Sequence, residues 1–181
     1  RAQSLGFEAL TVLGGDTSVG PTRCVPHANI LRARIRERHP QLALGGWSNP
    51  HRDIGQQVQY LTADDFSADF FLTQVVSHHS MDRIDAFLEE CARRNVTTPG
   101  IFGVFYYRSA HPRTLERLSE FFPVPAERLT REFESGATPE EVLGRTLDAL
   151  RSAGVEKLYL SNFGHRRVQD HLDRVLAGRV L

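Results

Sequence analysis

The stretch that most constrains this chain is Phe70-Phe71-Leu72-Thr73-Gln74. An apolar run that closes on Thr-Gln reads as a buried parallel strand delivering a polar head, Gln74, at its carboxyl end. Comparable runs recur on both sides of it. Leu10-Thr11-Val12-Leu13 closes on Gly14-Gly15-Asp16, and Leu42-Ala43-Leu44 closes on Gly45-Gly46-Trp47-Ser48-Asn49-Pro50-His51. Ile101-Phe102-Gly103-Val104 closes on Phe105-Tyr106-Tyr107-Arg108, and Leu158-Tyr159-Leu160 on Ser161-Asn162. Five repeats of strand, polar end and helix require a parallel α/β sheet with right-handed crossovers, in which chemistry sits where the carboxyl ends of the strands emerge. The commonest closed form is the (β/α)8 TIM barrel. Such a barrel typically takes ~250 residues, more than the 181 present.

The segments between the strands carry helical period. Ile30, Leu31 and Ile35 share a face of a helix whose arginines read as a solvated surface. Asp53 can cap a helix running to about Phe66, with Ile54, Val58 and Leu61 inward. Ser80 can cap another that buries Met81, Ile84, Phe87, Leu88 and Cys91. Leu115, Leu118, Phe121 and Phe122 form a further face, closed by Pro123 and Pro125. Thr138-Pro139-Glu140-Glu141 is a capping box with proline at the first helical position, predicting a helix through Ala153 that Gly154 ends. Val168, Leu172, Val175 and Leu176 line a last one.

With 40% hydrophobic and 24% charged residues, the chain reads as one domain over 1–181. Its net charge of zero argues against a nucleic-acid partner. No apolar run approaches the ~20 residues of a membrane span, and no leader pattern opens the chain, so a cytoplasmic protein is expected. Cys24 and Cys91 fall outside any CxxC pair and read as ordinary thiols. Lys157 is the sole lysine, which excludes a P-loop lysine and leaves one candidate for a Schiff base. His78 and His79 are adjacent, with no carboxylate at ligand spacing, so no metal is expected. Trp47 after two glycines can offer its indole to a planar ligand with His51 as a hydrogen-bonding partner, or can plug the end of a barrel. Asp16 is either a carboxylate at a strand mouth or a plain glycine-turn residue. The aromatics at 105–107 can wall a flat ligand or lie over a barrel rim.

Taken together and in order, Leu13-Gly14-Gly15-Asp16, the loop from Gly46-Trp47 to His51, Leu72-Thr73-Gln74, Pro99-Gly100-Ile101 and Tyr159 to Asn162 resemble the methylenetetrahydrofolate reductase family. The resemblance covers nearly the whole chain and starts near the fourth strand of that family's barrel. It implies that these residues supply about the last five β/α units, and that the family's general-acid glutamate lies in a part absent from this sequence. The implied reaction moves a hydride from NADH or NADPH onto the methylene carbon of 5,10-methylenetetrahydrofolate, giving the 5-methyl form. By the same resemblance Asp16 favours the cationic iminium, Gln74 hydrogen-bonds the pterin edge, Tyr107 stacks on folate or nicotinamide, and Asn162 lies at the polar end of the last strand. Gly46, Trp47 and His51 occupy the loop that touches the flavin. Two departures weigh against that flavin: Gly14 stands where the family usually has arginine, and Thr62 and Ala63 replace a basic pair that holds the FAD phosphates. Each missing charge-assisted bond forfeits roughly 1.5–3 kcal/mol, so FAD binding is expected to be weak or absent. The rival readings are an inactive folate- or pterin-binding barrel, a metal-dependent hydrolase built on His51, His78 and His79, and a different flavin barrel such as a proline dehydrogenase.

Overall fold

The computed structural model describes residues 2–14, 25–164 and 167–177. Five strands lie in one sheet, β1 (Ala9–Thr11), β2 (Ala43–Ser48), β3 (Phe70–Val76), β4 (Gly100–Phe105) and β5 (Leu158–Ser161), in the order β1-β2-β3-β4-β5. The β1-β2, β2-β3 and β4-β5 ladders are parallel. Between the strands run α1 (Ala28–Arg38), α2 (Ile54–Leu61), α3 (Met81–Arg93), α4 (Pro112–Ser119), α5 (Ala126–Glu134) and α6 (Pro139–Ser152); α7 (Val168–Leu176) follows β5. Each strand therefore pairs with its predecessor in sequence, and the sheet is wound one way throughout with no switch point. No helix among the described residues is long and apolar enough to cross a membrane.

The chain divides into two compact units, residues 1–73 with 86–101 and residues 74–85 with 102–181. In the first, Val12, Leu42 and Leu44 form a buried cluster with Leu10, Ala28, Leu31 and Ile35 of α1 packed against it. The Phe71 ring meets Phe87 of α3 edge-on at 6.3 Å. In the second, Tyr107, Leu115, Leu129 and Val142 form the buried cluster, surrounded by Phe105, Leu118, Phe122, Val124 and Phe133.

Local chemistry explains where the helices start. Asp53 accepts from the Gln56 N–H at 2.7 Å, and Thr138 and Glu141 complete the expected capping box, with Ala153 and the left-handed Gly154 (φ 84°) closing α6. Other expectations need correction. α2 stops at Leu61 rather than Phe66, because Thr62 turns its hydroxyl back onto the Val58 and Gln59 carbonyls. Ser80 does not cap α3: Ser77 caps a 3-10 turn over His78–Ser80, and Ser80 supplies the return bond of that box. Residues 45–48 are strand rather than loop. Arg32 is not solvated but 5% exposed; it donates to the Phe66 carbonyl at 3.0 and 2.6 Å with its guanidinium 5.1 Å from the Phe66 ring. α5 is an element that the sequence pattern did not reveal.

Candidate functional site

β3 alternates in burial. Phe71, Thr73 and Val75 are buried, whereas Phe70, Leu72 and Gln74 are half-buried on the opposite face. Gln74 thus reaches the carboxyl half of its strand as a polar group on an otherwise apolar face. Its Nε2 donates to the Phe121 carbonyl at 3.4 Å, and its Oε1 accepts the Val75 N–H at 3.0 Å. The Phe121 ring is 65% exposed. Next to it, Phe122 packs on Phe105 at 5.1 Å, and Phe105 on Tyr107 at 4.9 Å. Tyr107 is only 6% exposed, in the core over α4 to α6, and burial pushes its hydroxyl far above the ordinary phenol range. Its ring supports the aromatic row and offers little surface to a ligand.

Asn162 follows β5 in the left-handed region (φ 65°), where asparagine is tolerated. Its Nδ2 donates to the Tyr106 carbonyl at 2.9 Å, and its own carbonyl accepts Arg108 at 3.0 Å. It therefore ties the ends of β4 and β5 together. Beside it Tyr106 is buried, and its hydroxyl is pushed up to about 12 by burial and by Glu140. Glu140 in turn meets His171 at 2.7 Å and Arg174 at 3.0 Å.

In the first unit, a side chain at Gly46 would meet the Phe66 ring at 2.6 Å, and one at Gly45 the Phe70 ring at 2.5 Å. The glycines thus make room for rings of this chain. Trp47 points the other way from Gly46 and is 36% exposed. The His51 N–H donates to Asn49 Oδ1 at 3.0 Å, in a turn whose Asn49 N–H is held by Gln57 at 2.8 Å. Asp16 lies outside the described residues. Residues 62–69, where the resemblance would put the basic pair for a flavin diphosphate, carry Asp64, Asp65 and Asp69 and no lysine or arginine, but Arg32 and Arg36 of α1 reach the segment in space, at the Phe66 carbonyl and at Asp69. Asp69 is itself engaged, accepting the Leu44 N–H at 2.7 Å and pairing with Arg36. Burial pushes its carboxyl up, but the Leu44 N–H and Arg36 together outweigh burial and hold it below the ordinary carboxylate range, so it stays a carboxylate.

One cluster escaped the sequence reading. His78 Nε2 and His79 Nε2 each lie 3.1 Å from a different oxygen of Glu132, which α5 brings to the turn after β3. Arg145 of α6 reaches the same carboxylate at 2.5 Å, and Thr146 Oγ1 lies 2.8 Å from His78 Nδ1. No carboxylate stands at the expected ligand spacing along the chain, but in space Glu132 joins the histidines: the three residues can place ligand atoms within 4.8 Å of one another. Glu132 is raised by burial but held below the usual range by Arg145 and the two imidazoles; His79 is lowered by burial and by His78. Elsewhere, Cys91 has its thiol raised to about 11 by burial and by Glu90, so it is protonated at neutral pH. Lys157 is exposed beside Glu156, with no apolar pocket to activate it.

No known family profile matches the chain, and no curated protein matches it. Among solved structures, the carboxyl transferase domain of Rhizobium etli pyruvate carboxylase, with pyruvate, is similar at 14% identity and a TM-score of 0.40, over 85% of this chain and 29% of that one. The chain thus spans less than a third of that structure's length.

Proposed function

We propose that this chain forms part of a (β/α)8 barrel and acts as an oxidoreductase of the methylenetetrahydrofolate reductase type, using NADH or NADPH directly. The observation that carries the reading is Gln74: an amide on the carboxyl half of β3, half-buried on an apolar face and oriented by the Phe121 carbonyl and the Val75 N–H. An amide donates and accepts at once, which suits the edge of a pterin. Each described residue to which the resemblance gives a role, Gly46, Trp47, His51, Gln74, Tyr107 and Asn162, lies on the carboxyl half of a strand or just beyond it, where such sheets carry their chemistry. The strand order, each strand beside its predecessor, supports the barrel reading.

In this reading the substrate's five-membered ring opens as N10 takes a proton, leaving an iminium at N5. A bound nicotinamide would supply the hydride that the methylene carbon takes up, so that one NAD(P)H and one proton would give NAD(P)+ and the 5-methyl product. Asp16 stabilises the iminium charge. Gln74 orients the pterin, and Tyr107 holds the Phe105 and Phe122 rings from beneath. Thr62 and Ala63 in place of the family's basic pair, with Asp64 and Asp65 next to them, support a reaction without FAD.

The test is nicotinamide oxidation by the purified protein with 5,10-methylenetetrahydrofolate, with and without added FAD, in the wild type and in Gln74→Ala and Asp16→Asn. Turnover without FAD that falls at least tenfold in both variants is expected. Folate binding with no loss of nicotinamide absorbance would leave an inactive binding barrel and overturn the reductase reading; a tight, stoichiometric flavin as isolated would overturn the direct hydride route.

A further inference from the structure

We infer that His78, His79 and Glu132 form a binding site for a divalent first-row metal ion of the zinc class. This site is separate from the folate reading and does not depend on it. The two imidazoles lie 3.9 Å apart, ring centre to ring centre, and both aim Nε2 at one carboxylate, at 3.1 Å each. Tetrahedral zinc with bonds of about 2.0–2.1 Å sets its ligand atoms roughly 3.3 Å apart. The two His–Glu spacings are close to such an edge, and ligand atoms of all three residues lie within 4.8 Å of one another.

The surroundings fix which nitrogen binds. Thr146 is buried, and its hydroxyl oxygen lies 2.8 Å from His78 Nδ1, with the Val142 carbonyl 3.4 Å away as an acceptor for its proton. An ion bound at Nε2 leaves the proton on Nδ1, where Thr146 is placed to accept it. One ion between the two Nε2 atoms and Glu132 meets all three ligand groups at once. A hydrogen-bond partner on the outer nitrogen of a histidine ligand is the usual support of such sites. Arg145, half-exposed at 2.5 Å from Glu132 Oε1, occupies the cation's place and can swing outward when the ion binds. Arg128 donates to the His79 carbonyl at 2.7 Å and anchors the turn itself. Two histidines and one glutamate leave a further coordination position for water or a substrate oxygen.

The experiment titrates the full chain, cleared of metal by chelator, with Co(II) followed by its visible d–d absorption, and then with Zn(II) in competition. One equivalent of Co(II) with tetrahedral or five-coordinate bands, displaced by zinc, is expected. Glu132→Gln should weaken binding by roughly 10–100-fold. Arg145→Met, which removes the competing cation and keeps all three ligands, should tighten it. Circular dichroism confirms that each variant is folded; if Glu132→Gln is not, Arg145→Met decides alone. No cobalt bands at one equivalent, wild-type affinity in a folded Glu132→Gln, or weaker binding in Arg145→Met would each overturn the site.

Discussion

Gly46→Ala tests whether the glycine pair of β2 serves packing or ligand approach. A Cβ there would stand 2.6 and 2.8 Å from Cζ and Cε2 of Phe66. The ring cannot simply swing aside. It is nearly buried, Arg32 lies against one face at 5.1 Å, and the same arginine grips the Phe66 carbonyl with two hydrogen bonds. Overpacking of this kind costs about 1–3 kcal/mol, while alanine regains roughly 0.5–1 kcal/mol of backbone entropy over glycine, so the net loss is about 1–2 kcal/mol. With a urea slope of about 2 kcal/mol per molar, the unfolding midpoint should fall by roughly 0.5–1 M. Phe66→Leu removes the two colliding carbons, so the double variant should be more stable than the sum of the single ones, with a coupling of about 1 kcal/mol. Additive effects, or a Gly46→Ala midpoint equal to wild type, would refute the packing account and return Gly46 to the ligand.

Three further outcomes follow from other contacts. Arg32→Met keeps the aliphatic stem but strips two charge-assisted bonds from the Phe66 carbonyl; it should lose about 2–3 kcal/mol by urea titration, against near-neutrality for exposed Arg38→Met. Thr138→Ala removes the α6 cap and should cost about 0.5–2 kcal/mol, read as a lower melting temperature with unchanged spectrum. Burial raises Glu140, but His171, Arg174 and Tyr106 more than offset it and hold the carboxyl at about 2. A depressed acid contributes stability that is full above its unfolded value near 4.5 and is lost as pH falls toward 2. Wild type should therefore lose more stability than Glu140→Gln between pH 5 and pH 2, and parallel slopes would contradict the assignment.

The strands were legible because each is an apolar run ended by polar residues, and the caps at Asp53 and Thr138 because a cap is a local affair of three or four residues. What escaped was non-local. Arg32 looked like one arginine among several on a polar helix, and only the Phe66 carbonyl 34 residues away makes it internal. α5 lies between Pro125 and Gly136 with only Leu129 and Phe133 to mark its inward face, too little periodicity to stand out. With α5 unseen, Glu132 was unplaced, and the two histidines seemed to lack an acid. The burial of Tyr107 was equally hidden, since consecutive aromatics after a strand do not reveal which one turns inward.

At two glycines of the sheet a side chain would meet the ring directly across on the neighbouring strand: Phe70 at Gly45, and Tyr159, whose phenol lies over it, at Gly103. Such a couple works as a key and slot. Sliding β5 by one residue either way would set Tyr159 against Phe102 or Val104, and sliding β3 toward Leu44 would set Phe70 against that side chain, so size helps dictate alignment even where apolar patterning is too uniform to choose. Related sequences should therefore vary the members of each couple together, a bulkier residue at 45 or 103 accompanying a smaller one at 70 or 159.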